Sequence, residues 1–344
     1  MQKTIFVVDD SAINLTVVKN ALKDQYRVRT FSSALTMFDV LEKVVPVLIL
    51  LDIEMPEMDG FQALDILKKN HHTAGIPVIF LTNLTDAEVE AKGFKMGVVD
   101  FIIKPFSVPV LLNRIKTHLE IDEIIHERTS EIAALKSAIV FTLADIVENR
   151  DKETGGHILR TSSHMKILIN EMTARGLYSS ELGKMNIDLL ISSARLHDVG
   201  KVAIPDSILN KPGRLTDEEF AIMKTHCEVG KDIIDKIMSR TNDSEFLNHA
   251  RLIVSSHHEK WDGSGYPQGI KETDIPLQGR IMAIVDVYDA LVSKRPYKKP
   301  FTHEEASEII LAGKGTQFDP YITDLFINIK SSFEAIEGAC NESV

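Results

Sequence analysis

Cysteine is nearly absent from this chain. Only two, Cys227 and Cys340, occur in 344 residues, which excludes a disulfide framework and fits a reducing compartment. Long apolar runs are missing too. The longest, such as residues 44–51, fall far short of the roughly 20 residues that cross a bilayer. The opening MQKTIFVVDD has neither the apolar stretch nor the small-residue cleavage site of a secretory signal. A cytoplasmic protein with no membrane partner is therefore expected. Positive charge is scarce: 39 Lys and Arg against 50 Asp and Glu leave a net charge of −11. That excludes a broad basic surface for a nucleic acid polymer and leaves a local basic pocket open. What is present, 44% hydrophobic and 26% charged residues, is the profile of a globular protein of about two domains. The histidines are uneven. Of twelve, only His71, His72, His118 and His126 precede residue 150, so the two halves are expected to carry different chemistry.

The first 120 residues alternate strand-like apolar runs with amphipathic helical stretches. Strands are expected at 4–8, 27–31, 47–51, 78–82 and 99–103. Helices are expected near 14–24, 34–42, 60–70, 88–96 and 108–120. Five strand–helix repeats argue for a doubly wound parallel sheet covered on both faces, with function at the carboxyl ends of its strands. Those ends carry Asp9 and Asp10, Asp52, Thr82, and the pair Lys104-Pro105. Three converging carboxylates repel one another unless a cation joins them, and Mg²⁺ suits such oxygen ligands. A nearby lysine and a threonine hydroxyl suit phosphoryl oxygens. The chemistry this suggests is an aspartate that accepts phosphate with metal help. Any one such residue is more often a helix cap or a turn residue. Five at strand ends together are not.

With VVDDS at 7–11, LLDIEMPEMDG at 50–60, Thr82 and KP at 104–105, residues 1–120 resemble a response-regulator receiver domain. The resemblance implies that a partner histidine kinase phosphorylates Asp52. It implies Mg²⁺ held by Asp9, Asp10 and the backbone carbonyl of Glu54, and Lys104 paired with the phosphoryl group. Thr82 is implied to move toward that group and Phe101 to reorient as an aromatic switch. Asn83 stands where the family more often has a small residue.

Residues 118–145 contain no Pro or Gly. Positions 121, 125, 128, 132, 135, 139 and 142 step by four and three and read Ile, Ile, Arg, Ile, Leu, Ile, Thr. This is an a/d seam of about three heptads. The last receiver helix is therefore expected to run on into a helical stalk, which fits a dimeric coiled coil and, equally, an ordinary amphipathic helix packed on its own domain.

Beyond residue 140 the strand signal disappears. Helices are expected at 135–149, 157–175, 185–196, 217–238, 245–256, 278–293 and 303–311, with loops at 198–214 and 261–276. The chemistry sits in short pieces: Glu153 and His157 in ETGGH, His197-Asp198 and Lys201 in LHDVGK, His226 in MKTHCE, His257-His258 opening HHEKWDGSGYP, and Asp286 in AIVDVYDAL. Five imidazoles and two or three carboxylates suit mixed N/O ligation of Fe, Mn, Zn or Ni. Two metals would share them, with one carboxylate bridging, an arrangement suited to in-line attack on phosphorus. Lys201 and Arg295 would neutralise the phosphate oxygens. A lone histidine on a helix is more often structural, and His118, His126, His164, His249 and His303 are read that way. Trp261 is open to plain packing, and Cys227 is read as a small buried hydrophobe.

The extended motifs HDVGKVAIPD and HHEKWDGSGYP, in this order, resemble an HD-GYP domain, a branch of the HD metallophosphohydrolases. Members hydrolyse cyclic di-GMP to pGpG and often to GMP. The resemblance implies two or three Fe or Mn ions. His157, His197, Asp198 and Asp286 would serve one, with Asp198 bridging to a second held by His226, His257 and His258. Glu153 occupies the position that recruits a third metal in some members. Lys201 is implied to contact the scissile phosphate, Arg295 and Lys298 to bind phosphates, and Gly265, Tyr266 and Pro267 to shape the dinucleotide loop. Lys294 replaces the usual Asp before the arginine. The expected architecture is a receiver domain at 1–120, a helical stalk at 121–145 and an all-α HD-type bundle at 146–344. Two rivals are kept: another cyclic dinucleotide as substrate, and a non-hydrolysing dinucleotide receptor.

Overall fold

The computed structural model describes residues 2–83, 87–150, 156–241, 244–293 and 299–341. The chain divides into two compact units, residues 1–133 and 134–344. In the first, strands β1 (Thr4–Val8), β2 (Arg27–Phe31), β3 (Leu48–Asp52), β4 (Val78–Thr82) and β5 (Asp100–Ile103) form one parallel sheet in the order β2-β1-β3-β4-β5. Every residue of β3 and β4 is buried. That is why LILLD and VIFLT read as continuous apolar runs and not as alternating ones.

Helices α1 (Ala12–Leu22), α2 (Ala34–Leu41), α3 (Gly60–Lys69) and α4 (Ala87–Lys95) follow the first four strands. The side chains of Ser11, Ser33 and Asp59 cap the first three by accepting backbone N–H groups of Asn14, Thr36 and Gln62. Successive strand residues supply opposite faces. Phe6, Val8, Ile49, Leu51 and Phe80 pack with Met37 and Leu64, while Ile5, Val7, Leu48, Leu50 and Ile79 pack with Val18, Leu22 and Leu111. The chain leaves β1 for β2 on one side and returns to β3 on the other. The ends of β1 and β3 therefore flank a topological switch point, where Asp9, Asp10 and Asp52 lie.

As expected, the last receiver helix runs on through the seam: the stretches at 108–120 and 135–149 and the residues between them are one helix, α5 (Val108–Glu148). Nothing between them breaks or caps a helix. Along it Ile121, Ile125, Ile132, Leu135 and Ile139 are 46%, 57%, 67%, 62% and 51% exposed.

The second unit is helical: α6 (His157–Ala174), α7 (Ser179–Leu182), α8 (Ile187–Ser193), α9 (Asp206–Leu209), α10 (Asp217–Lys224), α11 (His226–Met238), α12 (Ser244–Val254), α13 (Leu277–Val292), α14 (His303–Ala312) and α15 (Pro320–Asn341). Its core joins Met165, Leu168, Ile281, Tyr288, Phe326 and Phe333 from α6, α13 and α15. Three expectations differ. The helix at 185–196 stops at Ser193 and tightens into a 3₁₀ turn over 194–196. The helix at 217–238 breaks at Thr225, whose hydroxyl donates to the Ile222 carbonyl while the His226 ring donates to that of Met223. Such side-chain bonds compete with the helical ladder. Helix α15 was not expected. Among the described residues, no helix is long and apolar enough to cross a membrane.

Candidate metal centre and phosphoacceptor pocket

In the first unit, carboxylate oxygens of Asp9, Asp10 and Asp52 lie within 4.8 Å of one another. Lys104 Nζ stands 2.7 Å from Asp9 and 2.7 Å from Asp52. Burial pushes the Asp52 carboxyl up against the pull of Lys104. Burial also opposes the charge on Lys104, but Asp52 and Asp9 outweigh it and hold its pKa up. Asp9 is fixed further by Asn14 Nδ2, at 3.0 and 3.1 Å, and by the N–H of Ser11. One ammonium among three carboxylates leaves an acidic pocket that could hold a hard divalent cation. Asp52 also accepts the backbone N–H of Glu54, which places that peptide beside the pocket. Thr82 is buried at the end of β4. Phe101 is buried too, its ring edge-on to Phe80 and Phe94. A Cβ on Gly93 would come within 2.5 Å of Phe101 Cζ, so the inward ring needs glycine there.

In the second unit, five histidines from four places converge on Asp198. His157 opens α6, and His226 opens α11. His197 ends the 3₁₀ turn ahead of Asp198, while His257 and His258 follow α12. Ligand atoms of Asp198, His226, His257 and His258 lie within 4.8 Å of one another, as do those of His157, His197 and Asp198. Asp198 belongs to both groups. Its Oδ2 is 3.3 Å from His197 Nε2, and its Oδ1 is 3.4 Å from His226 Nε2 and 3.7 Å from His257 Nε2. Asp286 Oδ1 is 3.7 Å from Nε2 of both His157 and His197.

The rings are turned in one sense. Nδ1 of His197, His226 and His257 lies 2.9, 2.7 and 3.0 Å from the carbonyls of Ala194, Met223 and Ile253. Nδ1 of His157 lies 2.7 Å from Asp289. Those oxygens only accept, so each Nδ1 donates and each Nε2 lone pair faces inward. As a result Nε2 of His157 and His197 meet at 3.3 Å, and those of His226 and His257 at 3.5 Å. Facing lone pairs repel unless an electrophile lies between them. Asp198 Oδ1 is buried and has no hydrogen-bond partner among the described residues. The donor set therefore fits cations on both sides of Asp198.

Electrostatics agrees with that. Burial pulls the pKa of His226 down to about 4. Burial, then the neighbouring His257, pulls His258 well below the usual imidazole range. Both rings are neutral at pH 7, the form that metals bind. Burial disfavours a charged Asp198, but Lys201 and His197 outweigh it and hold its pKa well below the usual carboxylate range. Lys201 Nζ sits 2.8 Å from Asp198 Oδ2. Burial likewise opposes the charge on His197, and Asp198 overcomes it, so the His197 pKa is raised.

The HD-domain family matches residues 144–322, more than half of the chain, and the response-regulator receiver family matches residues 5–116. A probable cyclic di-GMP phosphodiesterase of Vibrio cholerae is 42% identical over 347 residues, covering 96% of this chain and 79% of that protein. The cyclic di-GMP phosphodiesterase response regulator RpfG of Xanthomonas campestris is 32% identical over 344 residues, covering 97% and 89%. The chain belongs to the response regulators that join a receiver domain to an HD domain of the HD-GYP type. A 3′3′-cGAMP-specific phosphodiesterase 2 of Vibrio cholerae is 43% identical over 201 residues, covering 58% of this chain and 36% of that protein.

In this HD-GYP unit, the GYP loop packs on the His258 side of the site. Tyr266 donates its N–H to the His258 carbonyl, and its ring centroid is 4.8 Å from that of His258. Burial pushes the phenol pKa up, so Tyr266 stays a neutral donor. A Cβ on Gly265 would fall 2.3 Å from the Lys260 nitrogen, so only glycine fits. The Tyr266-Pro267 peptide is cis. Glu153, Lys294, Arg295 and Lys298 lie outside the described residues. The histidines set aside from the sequence lie elsewhere. His164 stacks on Phe333 and is pulled down to about 4 by burial, His249 contacts Gln278, His303 contacts Tyr288 and His118 contacts Asp100. Cys227 is buried, and burial keeps its thiol protonated.

Sequence reasoning missed the residues behind the site. Asp289 orients His157 and accepts from Arg160 Nε at 2.7 Å. Burial would raise the Asp289 pKa, but hydrogen bonds from His157 and Arg160 hold it far below. Its spacing of three from Asp286 on one helix face was the available signal. The Glu259 carboxylate, buried after His258, accepts the N–H groups of Gln268 and Gly269 and so ties down the GYP loop. Glu148 accepts the His157 N–H, and burial raises its pKa. Gly200 carries a packing constraint: a Cβ there would fall 1.9 Å from the His226 carbonyl oxygen, a rigid backbone atom. Gly200→Ala is expected to cost about 2–3 kcal/mol by overpacking and to spread Asp198 from His226. Urea unfolding and metal content check it, and a variant with wild-type values for both contradicts the packing.

Proposed function

We propose that this response regulator hydrolyses cyclic di-GMP to pGpG through a centre of two or three metals, under control of phosphorylation at Asp52. The observation that carries the reading is the inward turn of the four imidazoles onto Asp198. His157, His197, Asp198 and Asp286 would hold one Fe or Mn ion, and Asp198, His226, His257 and His258 a second. At the sequence level Glu153 is the candidate for a third. Bound there, such ions supply Lewis acidity to the phosphate and lower the pKa of an attacking water. The chain's own residues do the rest. Lys201 lines the same cleft as His157, His197 and Asp198 and stabilises charge gathering on the phosphate oxygens. Tyr266, a neutral phenol beside His258, and Gly265 and Pro267 shape the wall against the dinucleotide. Arg295 and Lys298 are assigned to its phosphates from the sequence.

The receiver arm of the proposal starts at Asp52, with Mg²⁺ held by Asp9, Asp10 and the Glu54 carbonyl, and a histidine kinase as donor. Lys104 would transfer one of its ion pairs to the phosphoryl group. Thr82 would move toward it, beside a Phe101 ring that is already turned inward. The exposed seam of α5, Ile121 to Ile139, supports a homodimer, because its heptad spacing suits a second copy of itself.

Asp198→Ala is expected to lose metal and to abolish turnover, since both groups share that carboxylate. Lys201→Ala is expected to keep metal and to lose about 10²–10³ in rate. The assay uses anaerobic, Fe- or Mn-loaded protein with cyclic di-GMP and 3′3′-cGAMP side by side. Preference for 3′3′-cGAMP moves the substrate to the mixed dinucleotide. Tight binding without turnover of either makes the domain a receptor.

Beryllofluoride, as a phosphoryl mimic, is expected to raise turnover of the wild type and to leave Asp52→Asn unchanged. Equal rates in all four conditions contradict regulation through Asp52. A one-residue insertion in α5 breaks the four–three spacing and is expected to abolish the response.

A further inference from the structure

The end of α5 grips the metal-binding segments at two points. The Glu148 carboxylate accepts the N–H groups of His157, at 3.0 Å, and of Ile158, at 3.4 Å. Helix α6 needs such an acceptor, because its N-cap is Gly156, at φ 99°, with no capping side chain. The first N–H groups of a helix have no partner within it, and an anion there also meets the positive end of the helix dipole. Two residues on, Arg150 donates to the carbonyls of Val202 and Ile204, at 2.6 and 3.2 Å, and to Asp206 at 2.8 Å. Asn210 donates in turn to the Arg150 carbonyl. Val202 and Ile204 directly follow Lys201. The end of α5 and the turn after it therefore hold the segment with His157 and the segment with His197, Asp198 and Lys201. Ala144, Val147 and Glu148 also wall the cleft those four residues line.

We propose that Glu148 is a positioning residue: by capping α6 from α5, it sets the His157 ring against His197 and so fixes the metal site they share. Arg150 holds the opposite segment, and the spacing of the two depends on where α5 ends. The inference rests on the metal-centre reading above. Glu148 acts through the backbone of His157, and Arg150 through the peptides after Lys201.

The test titrates Mn²⁺ into the full-length, metal-free protein and follows free Mn²⁺ by electron paramagnetic resonance. Glu148→Ala is expected to weaken one Mn²⁺ site about 10–100-fold, the usual effect of losing a group behind a ligand. The site at His226, His257 and His258 and the receiver pocket should stay close to wild type. Glu148→Gln should recover most of the lost affinity, because its amide oxygen still accepts the two N–H groups. Cyclic di-GMP turnover should then show kcat reduced in Glu148→Ala with KM little changed. If Glu148→Ala does not fold, Glu148→Asp replaces it. Its carboxylate is withdrawn by one methylene, and one Mn²⁺ site should weaken likewise. Mn²⁺ binding like wild type in a folded Glu148 variant, with only the melting temperature lowered, makes Glu148 a plain helix cap and overturns the inference. A wild type that binds no Mn²⁺ overturns the metal-centre reading and this inference with it.

Discussion

The facing imidazole lone pairs around Asp198 are the constraint to which the second unit is fitted. Imidazoles with Nε2 atoms 3.3 and 3.5 Å apart do not gather by hydrophobic packing. They are held from behind. Three of the four rings donate Nδ1 to carbonyls at the ends of helices or turns. The interruptions at 194–196 and at Thr225, and the end of α12, are thus the places where ring orientation is set. The fourth ring, His157, lies at a helix start and has no such carbonyl. It uses Asp289, which Arg160 holds in turn. Close packing fixes the separation between segments. Gly200 lies against the His226 carbonyl, and Gly265 against Lys260.

The receiver meets the opposite problem with a simpler device. There carboxylates converge, and Lys104 bridges Asp9 and Asp52 from the last strand. The sheet order puts those two aspartates on adjacent strand ends across the switch point, so their closeness follows from topology. The phenylalanines at 80, 94 and 101 form an edge-to-face chain beside the pocket, and Gly93 leaves room for the inward ring.

Much of this was legible in the sequence, for reasons particular residues make plain. The five strands stood out because strands buried on both faces are unbroken apolar runs. The aspartates, Lys104 and the HD histidines stood out because each lies in a short, chemically dense motif. What was hidden is tertiary. Asp289 meets His157 132 residues away, and Arg150 meets Val202 52 residues away. No local spacing encodes either pairing. The break at Thr225 depends on two side-chain bonds to carbonyls that a periodic pattern does not reveal. Helix α15 was masked by β-branched Ile322, Thr323, Ile327 and Ile329, which dilute helix propensity until Phe326 and Phe333 find the core. The continuity of α5 was legible because residues 118–145 contain no Pro or Gly and carry one unbroken four–three seam.

The central claim is that Asp198 is shared between two metals. Anomalous diffraction from crystals of the Mn-loaded wild type, recorded on both sides of the manganese edge, tests it most directly. The account predicts two peaks flanking the Asp198 carboxylate, one beside His157, His197 and Asp286 and the other beside His226, His257 and His258. A single peak beside Asp198, or none there, contradicts it.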